Sequence, residues 1–272
     1  MIFDAKVKHA LDRIRYLLFR GEYWVARLCA PYFRGQEKYR SLWIISERGR
    51  EARDNAYHLY AYICREHPEI NIRYIISKDS PDRKKIEALG RPAVNYRSFE
   101  HYLVFALSDV KISTHIMGYS PDLYYFWLYN KKKEIPGIKI FLQHGIIKDD
   151  LRCLYASNVS LDLFVCGAKR EWEYISSAFG YQDGIVKWLG LCRYDCLPVI
   201  KSEMFQTILL MPTWRSYLAE RSEAGFKRSD YFKIYQSLLS NPVLHNMLRH
   251  YGFRLLFYPH YSMQRFASAF QP

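Results

Sequence analysis

From Leu42 onward, short apolar runs recur along the chain with amphipathic stretches between them. The runs are Leu42–Ser46, Ile72–Ser77, Val110–Thr114, Ile138–Leu142 and Leu161–Cys166. Their length and their content of Ile and Val predict strands. Helical periodicity over about 52–66, 81–89, 98–108 and 168–179 separates most of them. Strands and helices in this alternation imply right-handed βαβ units, and so a parallel sheet covered on both faces. The pattern starts again after Pro198. Thr207–Met211 and Phe253–Tyr258 predict strands, 230–250 predicts one long helix, and 262–270 the start of another. Ahead of both patterns, residues 4–30 predict a helix that sets Val7, Leu11, Ile14, Leu18 and Val25 among basic positions. The stretch 119–135 fits neither period. Its aromatic run, Tyr124–Tyr129, reads as helix or as extended chain, and Lys131 to Lys133 read as a solvated turn.

The fold class is therefore α/β, in three segments. Residues 1–40 form a basic amphipathic helical segment, 41–198 a nearly whole α/β unit, and 199–272 the first two strands of a second, incomplete one. There is no internal repeat at short period and no low-complexity tract.

Composition narrows the partners. The 272 residues are 50% hydrophobic, enough to bury a core, and carry a formal net charge of +13. A field of that sign draws nucleic acid, acidic lipid or phosphorylated substrates. Residues 1–40 hold nine basic side chains against four acidic ones. Such a helix either lies on an anionic membrane surface or packs on the domain with its basic face in water. Elsewhere the basic residues are dispersed, and no helix-turn-helix, RNA-recognition or OB pattern is present, so nucleic acid is not an expected partner. Six cysteines are scattered, and the close pair Cys192 and Cys196 has no second pair at zinc spacing. The apolar stretch Tyr16–Phe19 is too short for a cleavable signal, and no apolar run approaches the roughly 20 residues that span a bilayer. A reducing, cytoplasmic setting, peripheral on the inner face of the membrane, is the expectation.

Parallel sheets bind ligands at the carboxyl ends of their strands. After the first strand comes Ser46-Glu-Arg-Gly-Arg-Glu-Ala-Arg-Asp-Asn55, with Gly49 for a tight turn and Arg48, Arg50 and Arg53 to supply charge. A helix starting there offers free N–H groups to an anion. The alternative is a charged surface loop with an N-cap. After the strand at 138–142 comes Gln143-His-Gly-Ile-Ile-Lys-Asp-Asp150. His144 there is placed for proton transfer near neutrality, or is simply structural. Gly190-Leu-Cys-Arg-Tyr-Asp195 and Met211-Pro-Thr-Trp-Arg215 each set an arginine past a strand, for a phosphate or for a surface ion pair with Asp195 or Glu171. Tyr258-Pro-His-Tyr261 presents His260 past the last strand. No G-x-G-x-x-G, Walker loop, HExxH or DxD occurs and no carboxylate pair stands out for acid/base work, so neither cofactor nor metal is expected.

Taken together, Ser46–His58 with the following His67-Pro-Glu-Ile-Asn71, then Gln143–Asp149, Gly190-x-x-Arg-Tyr-Asp195 and Pro212-Thr-Trp-Arg215, resemble the CDP-glycerol glycerophosphotransferases that build teichoic-acid-type or capsular polymers. The resemblance runs from about Leu42 to the end. It implies a GT-B-like architecture of two Rossmann-like halves with parallel sheets. The first half would receive a lipid-linked polyol phosphate or capsular acceptor, and the second would hold CDP-glycerol. Glycerol phosphate would pass to an acceptor hydroxyl, releasing CMP. The catalytic residues would be His144, as the base for that hydroxyl, and His260, which with Arg193 and Arg215 would contact the diphosphate or stabilise the CMP leaving group. Arg48, Arg53, Asn55, Gln143, Gly145, Lys148, Arg193, Asp195, Thr213 and Arg215 would bind substrate. Cys192 stands where the family has proline before the arginine, and Tyr261 where proline follows the second histidine. The family's later donor-site stretch, of Thr-Asp-Tyr-Ser-Ser type, does not occur before Pro272, so the resemblance implies C-terminal truncation. An inactive relative that binds anionic polymer or membrane, and a transferase using CDP-ribitol, are the alternatives.

Overall fold

A computed structural model of the chain describes residues 2–122, 130, 135–199, 206–218 and 220–270, with only the backbone at 2–16 and 19. The aromatic run Tyr124–Tyr129 and Lys131 to Lys133 lie outside these residues, as do the side chains of Val7, Leu11 and Ile14. The chain divides into two compact units, Met1–Leu197 and Pro198–Pro272.

The larger unit is built on seven parallel strands: β1 (Trp43–Ser46), β2 (Ile72–Ile76), β3 (Val94–Asn95), β4 (Val110–Ser113), β5 (Ile138–Phe141), β6 (Leu163–Cys166) and β7 (Val186–Trp188). They lie in the order β3-β2-β1-β4-β5-β6-β7. The order reverses at β1 and β4, which pair Trp43 with Val110 and Ser46 with Ser113. β2 is buried at all five positions, as a central parallel strand must be when helices cover both faces. β3 and β7, at the two edges, have two and three residues, too short for a period to register in the sequence.

Five helices flank the sheet among the described residues: α1 (Ile2–Arg34), α2 (Asn55–Glu66), α3 (Arg83–Glu87), α4 (Phe99–Leu107) and α5 (Lys169–Ala178). Asp54 caps α2, its carboxylate accepting from the Asn55 N–H. Ser98 caps α4 by accepting from the His101 N–H. α4 is buried from His101 to Leu107, packed between the sheet and α1. α1 lays Tyr23, Ala26 and Ala30 into that core, with the Tyr23 and Phe105 rings 5.8 Å apart.

The smaller unit pairs β8 (Thr207–Leu210) with β9 (Arg254–Phe257) in parallel, with Leu210 opposite Phe257. Its helices are α6 (Glu223–Lys227), α7 (Asp230–Leu239) and α8 (Pro242–His250). The single helix expected over 230–250 is broken in two. Asn241 turns the chain out of helical geometry and accepts from the N–H groups of Val243 and Leu244, and Pro242 takes the first helical position. The expected helix at 262–270 is a 3-10 helix, Tyr261–Ala269. It lays Met263, Phe266 and Ala269 on Leu218, Phe226 and Tyr231 to make the core of this unit. The Phe226 and Phe266 rings stack 4.2 Å apart.

Candidate functional site

The loops after β1, β4, β5 and β7 meet at one end of the large sheet. In the first, Ser46-Glu-Arg-Gly-Arg turns at Gly49, whose φ of 72° suits glycine; a Cβ there would stand 2.2 Å from the Tyr96 ring. Glu47, almost wholly buried, organises the rest. Its carboxylate accepts from the N–H of Arg53 at 2.9 and 3.0 Å and of Asp54 at 2.7 Å. Burial pushes the Glu47 carboxyl above its ordinary range, against the pull of those N–H bonds. The N–H groups leading into α2, expected to await an external anion, are thus engaged by Glu47 and Asp54 of the chain itself.

The loop after β4 is held to the first. Ser113 Oγ donates to the Glu47 carbonyl at 3.2 Å and accepts from the His115 N–H at 3.1 Å. Gly118 passes so close to this junction that a Cβ would lie 1.8 Å from the Glu47 carbonyl oxygen. His115 is thereby fixed facing His144, their rings 4.3 Å apart and within 17° of parallel. Burial first, and the adjoining His144 ring and Arg48 after it, hold His115 down to about 3, so it is neutral.

Gln143 opens the loop after β5 in the left-handed region, with φ of 62°. Such a backbone costs on the order of 1 kcal/mol and persists only where its surroundings enforce it. Asn55, fully buried, does so by donating to the Gln143 carbonyl at 2.6 Å. Gln143 Oε1 accepts from the His144 N–H at 2.8 Å, while its Nε2 is buried without a hydrogen-bond partner among the described residues. His144 Nδ1 lies 3.1 Å from the Thr114 carbonyl. A carbonyl only accepts, so Nδ1 carries the proton, and Nε2 of the neutral ring keeps its lone pair. Glu171 pins the far end of this loop, its two oxygens accepting from the N–H of Ile147 at 2.8 Å and of Gly167 at 2.7 Å.

Arg48, His115, Gln143, His144, Gly145 and Lys148 line one cavity of about 590 Å³, with Ile116, Ile147 and Leu154 among its apolar walls. It combines an imidazole whose Nε2 has no partner among the described residues with two cations, one carboxylate (Asp149) and apolar walls. Arg193, in the turn after β7, reaches the loop behind His144: its Nη1 donates to the His144 carbonyl at 2.9 Å and pairs with Asp54, and its backbone N–H donates to Asn55 Oδ1 at 3.1 Å. His58 on α2 meets Cys196 of the same turn at 3.1 Å. Neither expected surface partner of Arg193 is used; Glu171 is buried under the loop after β5. Arg53 points elsewhere, its Nε 2.7 Å from Asp82, and Asp195 is exposed at the turn.

In the smaller unit, residues following adjacent parallel strands are again neighbours. Trp214, after β8, stacks on His260, after β9, at 5.6 Å and 15°. The Ser262 N–H donates to His260 Nδ1 at 3.2 Å, which leaves the proton of the neutral ring on Nε2. Thr213 and Arg215 flank Trp214 and are exposed. Among the described residues no group of His, Cys, Asp and Glu could hold a metal ion.

Sequence reasoning did not single out His115, Glu47, Asp54 or Glu171 as site residues. His115 directly follows a strand, as His144 nearly does, and that position was its only signal. Glu171 gave none, because its partners are backbone N–H groups.

A parallel α/β unit with a histidine and cations gathered at the carboxyl ends of its strands places these side chains where such sheets bind their ligands. The chain belongs to the CDP-glycerol:poly(glycerophosphate) glycerophosphotransferase family, whose sequence model matches residues 31–271. It is 31% identical over 241 residues to the minor teichoic acid biosynthesis protein GgaB of Bacillus subtilis (strain 168), an alignment covering 82% of this chain and 26% of that protein. Its fold is similar to the wall teichoic acid polymerase TagF, a GT-B-like protein. One TagF variant structure matches at a TM-score of 0.53 and 16% identity over 95% of this chain. A variant soaked with CDPG matches at 0.54 and 16% over the same share. The chain spans about a quarter of the length of GgaB and 66% of these TagF chains.

Proposed function

We propose that the protein transfers glycerol phosphate from CDP-glycerol to a hydroxyl of a teichoic-acid-like or capsular polymer carried on a lipid-linked polyol phosphate, with CMP as the leaving group. The acceptor oxygen attacks the phosphorus that bears glycerol, and its proton passes to His144 Nε2. The bond from that phosphorus to the bridging oxygen breaks, and the electron pair leaves with CMP. The observation that carries this reading is the state of His144, whose Nδ1 is committed to the Thr114 carbonyl and whose Nε2 has no partner among the described residues, on the wall of a cavity with Arg48 and Lys148. Phosphoryl transfer asks mainly for positioning and charge stabilisation, which such a site supplies. In this reading Arg193 braces the His144 loop. The smaller unit handles the donor, with Thr213, Arg215 and the Nε2–H of His260 directed to its diphosphate.

The test is CMP release from CDP-glycerol in the presence of a lipid-linked glycerophosphate acceptor. Release that His144→Ala abolishes supports the transferase. Release from CDP-ribitol in preference would change the polyol. Silence with both donors, together with absence of donor binding, would leave a protein that binds anionic polymer without transferring to it.

A second reading concerns location. Among the described residues no helix is long and apolar enough to cross a membrane. Yet α1 exposes Leu17, Leu18, Val25, Leu28 and Tyr32 together with Arg20 and Arg27. We propose that this face rests on an anionic membrane surface, where a lipid-linked acceptor is found.

A further inference from the structure

The Thr114 carbonyl fixes the tautomer of His144 but leaves the ring one freedom. A single hydrogen bond at Nδ1 lets the imidazole swing about that bond, and the ring is exposed on its cavity side. A general base that samples several orientations loses much of the advantage of being positioned. The ring of His115 lies in the way of that swing. At 4.3 Å and 17° from parallel, it stacks against one face of His144. His115 is itself tightly held: its N–H is bonded to Ser113 Oγ at 3.1 Å, its Nδ1 is 3.0 Å from Thr114 Oγ1, and Gly118 keeps the turn packed on Glu47.

We infer that His115 is a positioning residue for the transfer reaction, its ring a flat stop that keeps His144 in the orientation and tautomer a base requires. The inference rests on the transferase reading for its kinetic consequence and on geometry alone for its effect on His144. An imidazole suits this place better than a charged side chain. Because His115 stays neutral, no like charge opposes His144 when it takes the acceptor's proton. What the position needs is the flat face, since the hydrogen bond to Thr114 Oγ1 is made at the edge of the ring, away from His144.

The experiment uses the full chain with isotopically labelled histidine. Ring nitrogen spectra of His144, assigned with His144→Gln, report its tautomer. CMP release reports turnover. In the wild type the Nδ1–H form should dominate. In His115→Ala it should give way to a mixture of tautomers, with kcat lower by about 10- to 100-fold and KM for CDP-glycerol within about threefold. His115→Phe, which keeps a flat ring and no titratable nitrogen, should restore the wild-type His144 spectrum and most of kcat. An unchanged His144 spectrum in His115→Ala, or a His115→Phe protein that behaves as His115→Ala does, would overturn the inference. If no variant and no wild type releases CMP, the transferase reading fails, and the spectra alone still decide whether His115 orders His144.

Discussion

The guanidinium of Arg193 meets the carboxylate of Asp54, 139 residues earlier in the chain, with Nη1 2.5 Å from Oδ1. The same nitrogen donates to the carbonyl of His144 at 2.9 Å. One side chain therefore joins three loops at the carboxyl end of the sheet: the start of α2, the loop after β5 and the turn after β7. Both partners are mostly shielded from water, at 29% and 22% side-chain exposure, so the pair is stronger than an ordinary surface bridge.

Removing that guanidinium should loosen the turn more than it unfolds the unit. Arg193→Ala leaves Asp54 without its partner and is expected to cost about 1–3 kcal/mol, as for other charge-assisted bonds. Arg193→Lys keeps the charge but cannot reproduce the planar fork, and should fall between. Amide exchange at Tyr194 and Leu197, whose N–H groups close the turn, should accelerate in the same order, alanine above lysine above wild type. Unchanged exchange in Arg193→Ala would mean that the turn is held by the Asn55 and His58 contacts instead.

Glu171 offers a sharper contrast between two substitutions. It is 2% exposed, and each oxygen accepts one backbone N–H. Glu171→Gln turns one acceptor into a donor that faces another donor, which should cost about 1–3 kcal/mol. Glu171→Ala abandons both N–H groups and opens a cavity, and should cost more. Urea unfolding followed by the signal of the larger unit measures the order. Equal losses in the two variants would show that only one of the bonds matters.

These long-range ties mark what could be read from the sequence and what could not. The inner strands were legible because β-branched runs buried on both faces leave few alternatives. The break at Asn241-Pro242 carried its own signal, a capping residue before a proline, but the apolar period runs straight through it. At the site, the rule that ligands gather at strand ends pointed to the loops holding Arg48, Gln143, His144, Lys148 and Arg193. It could not say that Asn55 would be spent on Gln143, 88 residues away, or Arg53 on Asp82. Those pairings are fixed by the strand order, in which β1 and β5 flank β4 and β2 lies beside β1. No local pattern encodes that order.

Acid should weaken the larger unit as soon as the pH falls below the ordinary histidine range. His101 is fully buried, accepts from the Arg97 N–H at 3.0 Å and donates to the Tyr119 carbonyl at 2.8 Å. Burial holds it down to about 4, against an ordinary value of 6.5. Above pH 6.5 folded and unfolded rings are both neutral, and the full stability is present. Below it the unfolded ring takes up a proton and the folded one does not, so stability falls with pH until about 4. The loss amounts to about 1.4 kcal/mol per pH unit, on the order of 3 kcal/mol over the window. His115, held down to about 3, adds to the slope across the same window. Urea midpoints should therefore drop steadily from pH 7 to 4.5. His101→Gln should start lower at pH 7 and fall less steeply. A wild-type midpoint that stays level would mean that the buried ring accepts its proton in place.

The exposed face of α1 yields the last expectation. At 100° per residue, Leu17, Leu18, Trp24, Val25, Leu28 and Tyr32 fall within an arc of about 120°. Tyr23, Ala26 and Ala30, the residues that enter the core, lie on the opposite side. Leu28 and Tyr32 are 78% and 80% exposed, and Arg20 and Arg27 border the stripe. An apolar stripe with cations at its margin suits the boundary between headgroups and acyl chains, where burial and charge attraction add. The chain should therefore sediment with vesicles containing phosphatidylglycerol, much less with phosphatidylcholine alone, and less as salt is raised. Leu28→Glu puts a carboxylate at the centre of the arc while leaving the core face untouched. It should reduce vesicle binding by at least tenfold without shifting the urea midpoint. If vesicle binding is absent in the wild type, or survives Leu28→Glu, the stripe is not a lipid-binding face.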